Sequence, residues 1–168
     1  GPIAVSVNVS PRQFAENDLR DVVGRVLRET GVAPGLIELE LTERLLLQDN
    51  EETAIVLRDL RAMGVTIALD DFGTGFSSLS YLARFPLDTL KMDRCFVRDV
   101  DHDPAAAGVA KAVIAIGHSL GARVVAEGVD TFEQERFLRD QGCDELQGFL
   151  LAGALPADEV VRFFAPRS

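Results

Sequence analysis

The feature that most constrains the fold is an almost uninterrupted alternation of short apolar runs and amphipathic helical segments. The runs are hydrophobic on both faces, which is typical of parallel strands covered by helices on both sides of a sheet. Two architectures fit this pattern, an open doubly wound sheet and a (β/α)8 barrel. Strands are predicted over residues 3–9, 36–41, 65–69, 89–92, 123–126 and 144–149.

Helix start and stop signals separate the predicted strands. Asp103 is placed as an N-cap with Pro104 at the first helical position, and Thr131 has the capping-box spacing to Gln134. Helices are predicted over 18–30, 51–63 and 104–120, in the segment after Thr131, and after Pro156. The glycines expected to end the first four are Gly31, Gly64, Gly121 and Gly142.

The number of predicted units bears on the architecture. The 168 residues contain six βα units, whereas a barrel needs eight and usually about 250 residues. If the fold is a barrel, roughly two units on its N-terminal side are missing from this sequence, which opens directly in a strand.

Charge and apolar content exclude some classes of protein. The formal net charge is −10, and no cluster of lysine and arginine supplies the basic face that a general nucleic-acid binder needs. No stretch reaches the roughly 20 apolar residues of a membrane span, and no signal-peptide pattern is present. Cys95 and Cys143 show no paired spacing. We therefore expect a cytoplasmic domain, with any membrane anchor of the parent protein outside this sequence.

Polar side chains stand near the C-terminal end of every predicted strand. Active sites form at that edge in barrels and in open α/β sheets, because the ends of neighbouring parallel strands converge in space. Serine, threonine or glycine would end a strand equally well, so the repeated choice of carboxylate, amide and lysine is informative. The residues are Asn8, Glu40, Asp70 with Asp71, Lys91 with Asp93, Glu127 and Gln147.

Asp70 and Asp71 stand side by side before a glycine-bearing turn. When two carboxylates lie so close together, each raises the pKa of the other unless a cation lies between them. Oxygen ligands suit a hard divalent cation, Mg²⁺ or Mn²⁺, and two ions about 3.5–4 Å apart would suit phosphodiester hydrolysis. Lys91 among these carboxylates fits the holding of a water or hydroxide, or the stabilisation of charge on phosphate oxygens.

Two other patterns have simpler interpretations. Gly73-x-Gly75 lacks the third glycine of the dinucleotide-binding fingerprint, and the two carboxylates before it would repel a pyrophosphate. Phe163 and Phe164 are expected to form the buried face of the last helix.

The loop after the third predicted strand has the sequence Asp70-Asp71-Phe72-Gly73-Thr74-Gly75-Phe76-Ser77-Ser78-Leu79. It resembles the signature loop of EAL domains, the cyclic di-GMP phosphodiesterases of bacterial signalling. Further segments match the family in order and cover essentially the whole chain. They are Asn8-Val9-Ser10, Glu38-Leu39-Glu40-Leu41-Thr42-Glu43, Leu90-Lys91-Met92-Asp93, Val125-Ala126-Glu127-Gly128-Val129 and Gln147-Gly148-Phe149.

The resemblance implies a modified TIM-type (β/α)8 barrel that cuts cyclic di-GMP to linear pGpG with two divalent cations, Mg²⁺ or Mn²⁺. Asn8, Glu40 and Asp70 are similar to the ligands of the first ion. Asp71 is similar to a ligand of the second ion, with Asp70 near enough to bridge. Glu127 resembles the carboxylate that contacts the metal or the nucleophilic water.

The resemblance also implies roles around the ions. Lys91 would help hold the attacking water, and Gln147 and Asp93 would make polar contacts in the surrounding layer. Glu43 resembles the carboxylate that steadies the loop after Asp71, which in the family couples the site to a dimer interface. The candidate catalytic residues are Lys91, Glu127 and Asp71.

Residues 1–168 thus resemble an EAL-type phosphodiesterase domain that lacks its N-terminal portion. The Glu-Ala-Leu motif, whose glutamate is a metal ligand and whose following arginine contacts substrate, belongs to an earlier strand and is absent here. Loss of a carboxylate ligand weakens metal binding, and six βα units would leave a barrel open, with two strand edges and part of the core exposed. We therefore expect the isolated fragment to aggregate or to lack activity. Asp130 stands where the family more often has glutamate, a change we expect to be tolerated.

Two other functions stay open. A catalytically inactive EAL-type module would bind cyclic di-GMP or a protein partner without cutting it. An unrelated sugar- or carbonyl-processing barrel would make the motif match a coincidence. For the enzyme, the implied partners are cyclic di-GMP, a second copy of the chain through the loop after Asp71, and an upstream sensor or diguanylate cyclase domain. Polymeric nucleic acid is not an expected partner.

Overall fold

A computed structural model describes residues 3–15, 18–46, 51–73 and 82–164 of the chain. Six strands form one sheet, in the order β1-β2-β3-β4-β5-β6. The strands are β1 (Val5–Asn8), β2 (Ile37–Thr42), β3 (Thr66–Phe72), β4 (Thr89–Met92), β5 (Arg123–Glu127) and β6 (Glu145–Gln147).

Helices connect these strands. Within the described ranges they are α1 (Pro11–Ala15), α2 (Leu19–Thr30), α3 (Glu43–Leu46), α4 (Glu51–Ala62), α5 (Pro104–Ser119), α6 (Phe132–Asp140) and α7 (Ala157–Phe163). The single turns α1 and α3 were not predicted, because four or five residues are too few to show a helical period.

The predicted helix caps are confirmed. The Asp103 side chain accepts a hydrogen bond from the Ala105 amide at the start of α5. Thr131 and Gln134 form a reciprocal capping box at the start of α6. Gly31 ends α2 with a φ of 66°, a left-handed conformation that glycine adopts without steric cost.

Strand order decides between the two architectures. The order of a doubly wound sheet reverses at a switch point, whereas each strand of a barrel is added beside the preceding one. Here the order follows the chain throughout and every pairing is parallel. The predicted α/β fold is confirmed, with a parallel half-barrel sheet of six strands.

The hydrophobic core lies on the outer face of the central strands. Leu41, Ile67 and Leu90 are fully buried there, and Leu57 of α4 and Ala110 of α5 are buried with them. On these strands every second side chain is apolar and faces the helices, which leaves the alternate positions for the barrel interior. The alternation therefore directs polar side chains inward. The expectation that the runs are hydrophobic on both faces is wrong for β2 and β4, whose inner faces carry Glu38 with Glu40 and Thr89 with Lys91.

Two apolar segments are more exposed than expected. Val5 and Val7 of the edge strand β1 are 52% and 45% exposed, so burial of the first run on both faces is not found. Phe163 and Phe164 are 51% and 61% exposed, so the prediction of a buried face is wrong. Their rings pack edge to face on each other, with centroids 5.2 Å apart, beside an open groove that they help to line. In the part of the chain described, no helix is both long enough and apolar enough to cross a bilayer.

Candidate active site

Lys91 lies at the centre of the polar rim. Its side chain rises from β4 and is buried, with 6% of the residue exposed. Nζ lies 2.7 Å from Glu127 Oε1 and 2.8 Å from Glu40 Oε1, and 3.5 Å from Asp70 Oδ1. One ammonium therefore joins carboxylates from β5, β2 and β3, as the convergence of strand ends predicts.

The chain brings Asp70 and Asp71 to the same side by breaking the strand pattern. Adjacent residues of a regular strand point to opposite faces. Here the β3–β4 register shifts between Leu69 and Phe72, and Asp71 has a φ of 55°, a left-handed value that aspartate adopts more readily than most residues. Oxygens of Asp70, Asp71 and Glu127 consequently lie within 4.8 Å of one another.

Burial and like charge act together on these groups. Burial raises the pKa of Glu127, and the charges of Asp70 and Glu40 add to that rise, while Lys91 opposes it. Burial also raises the pKa of Asp71, with a further contribution from Asp70. Burial by itself lowers the pKa of Lys91, but hydrogen bonds to Glu127 and Glu40 outweigh it and raise the pKa well above its usual range. The cluster has an excess of negative charge that one lysine only partly compensates.

The donor set suits a hard divalent cation. The three clustered residues, Asp70, Asp71 and Glu127, all offer carboxylate oxygen, which a hard cation prefers to imidazole nitrogen or thiolate sulfur. Lys91 already places a positive charge among them, which indicates that the position favours a cation. Glu40, which also contacts Lys91, adds a fourth carboxylate to the rim.

The amides predicted at the rim lie at its two ends. Asn8 is opposite Glu40 in the β1–β2 register, and Gln147 is opposite Glu127 in the β5–β6 register. Both residues are exposed. Asp93 has a local role as well, because its side chain accepts a hydrogen bond from the Cys95 amide and caps the turn after β4.

Glu43 contacts Gly73, the last residue of the signature loop that the structure describes before position 74. Its Oε2 accepts a hydrogen bond from the Gly73 amide at 3.1 Å, and the residue is 2% exposed. Oε1 is buried and lacks a hydrogen-bond partner among the residues with described positions. The loop that would form the dimer contact, including Phe76, lies outside the described residues.

A cleft of about 540 Å³ adjoins the carboxylates at Glu127. Its polar lining is Asp93, Arg94, Glu127 and Gln147, and the rest is glycine, alanine and Phe149. Sequence reasoning missed Arg94, which could have been found because it directly follows the Lys91–Asp93 segment. The small residues have a packing reason, since a Cβ on Gly128 would lie 2.6 Å from Arg94 Cβ.

The EAL domain family profile matches residues 1–154. The chain belongs to the EAL domain family. Membership of this family explains why these polar side chains meet at the rim, because each of them belongs to one of the motifs that resemble the family. The unrelated barrel is thereby excluded.

Curated relatives of this EAL chain include signalling proteins that are much longer. One is the bifunctional diguanylate cyclase/cyclic di-GMP phosphodiesterase MucR of Pseudomonas aeruginosa, 43% identical over 157 residues, which are 94% of this chain and 23% of MucR. Another is the cyclic di-GMP phosphodiesterase PdeR of Escherichia coli, 39% identical over 162 residues, covering 96% of this chain and 24% of PdeR. The chain thus spans about a quarter of each of these relatives.

Solved EAL structures share the fold. The PaMucR phosphodiesterase in complex with c-di-GMP has a TM-score of 0.88 at 43% identity, covering 94% of this chain and 64% of that one. The EAL domain of Mycobacterium smegmatis DcpA has a TM-score of 0.91 at 38% identity, covering 98% of this chain and 75% of that one.

Proposed function

We propose that this chain is the phosphodiesterase part of a protein that hydrolyses cyclic di-GMP to linear pGpG with two divalent cations, Mg²⁺ or Mn²⁺. The observation that carries the proposal is the placement of Lys91 between Glu40, Asp70 and Glu127. The names of the MucR and PdeR relatives support the substrate.

The charge of the rim supports two divalent ions. Glu40, Asp70, Asp71 and Glu127 bring four carboxylates, and Lys91 brings one ammonium. With all five groups ionised, the rim has a net charge of about −3, which would repel a phosphodiester. Two divalent cations would add four positive charges and give the rim a net charge of about +1. That charge would attract the single negative charge of the scissile phosphodiester.

Each side chain has a proposed role in this reaction. Asn8, Glu40 and Asp70 would hold the first ion, and Asp71 would hold the second. When bound, the ions supply Lewis-acid activation of a water and neutralise charge on the phosphate. That water would attack phosphorus while the bond to the ribose 3′-oxygen breaks, and the leaving oxygen would take a proton from solvent to become a hydroxyl.

Lys91 and Glu127 would act on the water itself. Lys91 would orient the nucleophile and stabilise charge on the phosphate oxygens. Glu127 would accept the proton of the water, which suits a carboxyl whose pKa is raised by burial. Gln147 and Asp93, which border the cleft beside Glu127, would contact the substrate, and Glu43 would steady the loop after Asp71.

The arrangement of the whole protein is part of the same proposal. Residues 1–168 would belong to one EAL-type phosphodiesterase domain whose N-terminal portion is not included in this sequence. A homodimer would form through the loop after Asp71. A sensor or diguanylate cyclase domain would lie upstream in the parent protein, which would act in the cytoplasm or on its face of a membrane.

Hydrolysis by the protein at its natural length tests the proposal. Cyclic di-GMP is incubated with the protein in Mg²⁺, in Mn²⁺ and in EDTA. The products are separated by chromatography and identified by mass spectrometry. We expect pGpG with either metal and no turnover in EDTA. Lys91→Met should be inactive, while the matched Lys111→Met, on the exposed face of α5, should retain activity.

Two results would contradict the proposal. Turnover that persists in EDTA would remove the metal requirement. Tight binding of cyclic di-GMP without turnover in any metal would favour the inactive binding module instead.

A further inference from the structure

A second polar cluster lies on the inner face of the sheet, nearer the N-terminal ends of the strands than the Lys91 rim. Its members are inner-face residues that stand two or four positions before a rim residue on the same strand. We call it the lower polar cluster. It consists of Ser6, Glu38, Thr89, Arg123 and Glu145.

Arg123 connects this cluster across the sheet. Its Nη2 lies 3.3 Å from Glu38 Oε2 and donates to Thr89 Oγ1 at 3.1 Å. Its Nη1 donates to Glu145 Oε1. One guanidinium on β5 therefore contacts side chains from β2, β4 and β6.

Glu38 is the less exposed end of this connection. Ser6 Oγ donates to its Oε1 at 2.9 Å, and Thr89 Oγ1 donates to its Oε2 at 2.6 Å. The Glu38 side chain is 12% exposed, whereas that of Arg123 is 51% exposed. Both oxygens of Glu38 are thus held by hydrogen bonds from two other strands.

The Arg123–Glu38 contact depends on the curvature of the sheet. β3 and β4 lie between β2 and β5 in the sheet. In a flat sheet, three spacings of about 4.8 Å would hold β2 and β5 about 14 Å apart. The contact spans the concave face and so constrains how far these two strands curve toward each other.

Those two strands carry rim carboxylates directly above the contact. Glu40 follows Glu38 by two residues on β2, and Glu127 follows Arg123 by four on β5, so each pair shares the inner face. Lys91 joins Glu40 to Glu127 at the rim. A divalent ion needs its ligands at defined distances, so the curvature of β2 relative to β5 determines whether these oxygens suit one.

We propose that Arg123 and Glu38 are a positioning pair that sets the spacing of Glu40 and Glu127 for metal binding, an inference that rests on the proposed function. Neither residue reaches the rim. The half-exposed guanidinium is screened by solvent, so the pair adds little to global stability. Its effect is on the geometry of the metal ligands.

The direction of the change in Mn²⁺ affinity distinguishes a positioning role of Arg123 from a purely electrostatic one. Arg123→Met removes a positive charge from beneath an acidic site, which by electrostatics would tighten binding of a cation. If the pair sets spacing, the same variant should weaken binding. Mn²⁺ titration, followed by calorimetry or by the electron paramagnetic resonance of the free ion, is therefore informative without substrate.

The experiment compares variants of the protein at its natural length. Arg123→Met and Glu38→Gln should each raise the Mn²⁺ dissociation constant about tenfold or more and lower kcat by a similar factor. The double variant should be no worse than either single one, since both remove the same contact. Arg123→Lys should recover part of the loss.

Arg61→Met is the matched structural control. Arg61 makes a bidentate contact with Asp88, which directly precedes β4 at the end of the strand away from the Lys91 rim, with Nη2 2.6 Å from Asp88 Oδ1. Because the Arg61 side chain is about as exposed as that of Arg123, Arg61→Met should change the unfolding temperature as little as Arg123→Met does, and it should leave Mn²⁺ binding unchanged. Tighter Mn²⁺ binding by Arg123→Met, or a profile equal to that of Arg61→Met, would overturn the positioning role.

Failure of the inference differs from failure of the proposed function. A wild-type protein that binds Mn²⁺ without cutting cyclic di-GMP overturns the function, and the Mn²⁺ titration of Arg123→Met still decides the positioning role. A wild-type protein that binds no Mn²⁺ overturns both. Normal hydrolysis by Arg123→Met overturns the positioning role alone.

Discussion

Lys91 Nζ lies 2.7 Å from Glu127 Oε1 and joins β4 to β5 at the rim of the half-barrel. The same nitrogen contacts Glu40 at 2.8 Å, so a single buried cation holds together carboxylates that would otherwise repel one another. Removing one member of a buried charge pair is costly because the remaining charge is left uncompensated. Lys91 therefore connects the stability of the site to its chemistry.

Lys91→Met should lose both stability and turnover. Without divalent ions, we expect the free energy of unfolding to fall by about 3–5 kcal/mol. Hydrolysis of cyclic di-GMP should fall by a factor of about 100 or more. Mg²⁺ should return part of the stability, because it supplies positive charge to the same carboxylates. Denaturant unfolding with and without Mg²⁺ measures the first effect, and initial rates measure the second. A variant as stable as the wild type in EDTA would contradict the bridging role.

Asp70→Asn should weaken metal binding without lowering the stability of the metal-free protein. Asp70 raises the pKa of its neighbours Asp71 and Glu127, so removal of its charge relieves repulsion in the metal-free protein. We expect the unfolding temperature in EDTA to stay equal or rise, and the stabilisation by Mn²⁺ to be largely lost.

The control for Asp70→Asn is Asp140→Asn, at the exposed end of α6. It removes the same charge far from the rim and should keep the full Mn²⁺ effect. Thermal unfolding of both variants across a Mn²⁺ series makes the comparison. Equal stabilisation of both by Mn²⁺ would show that Asp70 is not a ligand.

Gly73→Ala should lower the free energy of unfolding for two separable reasons. Gly73 has a φ of 93°, and an added Cβ would lie 2.5 Å from the Phe96 ring. The backbone conformation and the clash together should cost about 2–4 kcal/mol. Gly121→Ala isolates the backbone part, since Gly121 has a φ of 75° with nothing within 4 Å of an added Cβ.

The comparison of the two glycine variants is made by chemical denaturation. We expect Gly121→Ala to cost about 1 kcal/mol, and Gly73→Ala to cost more. Adding Phe96→Leu to Gly73→Ala should recover part of the difference. Equal losses for the two glycine variants would mean that the Phe96 ring moves aside freely.

Asp144 should contribute stability that is lost in acid. Burial by itself would raise its pKa, but a hydrogen bond from the Val124 amide and the contact with His118 outweigh it, so the pKa lies below its ordinary value of 3.8. A carboxyl with a lowered pKa stabilises the fold above pH 3.8 and loses that contribution as pH falls through its folded-state pKa. The unfolding temperature of the wild type should therefore exceed that of Asp144→Asn near pH 6, and the gap should close below pH 3.8. A gap that stays constant down to pH 3 would contradict this.

Much of the rim could be predicted from local sequence because strand ends are local features. The apolar run before Asp70 and the one before Glu127 mark where each strand ends, and parallel strands place those ends together. The prediction that Lys91, Glu40, Asp70 and Glu127 converge is confirmed by their contacts. Their catalytic and metal-binding roles stay predictions.

The deeper contacts could not be predicted in the same way. Arg123 and Glu38 are 85 residues apart, and neither stands at the C-terminal end of a strand, so nothing near them in the chain marks them as partners. The exposure of Phe163 is also non-local, because it depends on what packs beside the last helix.

By itself, the amino-acid sequence determined the alternation of strands and helices, the caps of α5 and α6, and the set of polar residues at the rim. These follow from side-chain periodicity and hydrogen bonding within a few residues. Only the tertiary structure decided that Asp71 adopts a left-handed φ and that Arg123 reaches Glu38. Both depend on the shifted pairing of β3 with β4 and on sheet curvature, which arise only when all six strands are paired.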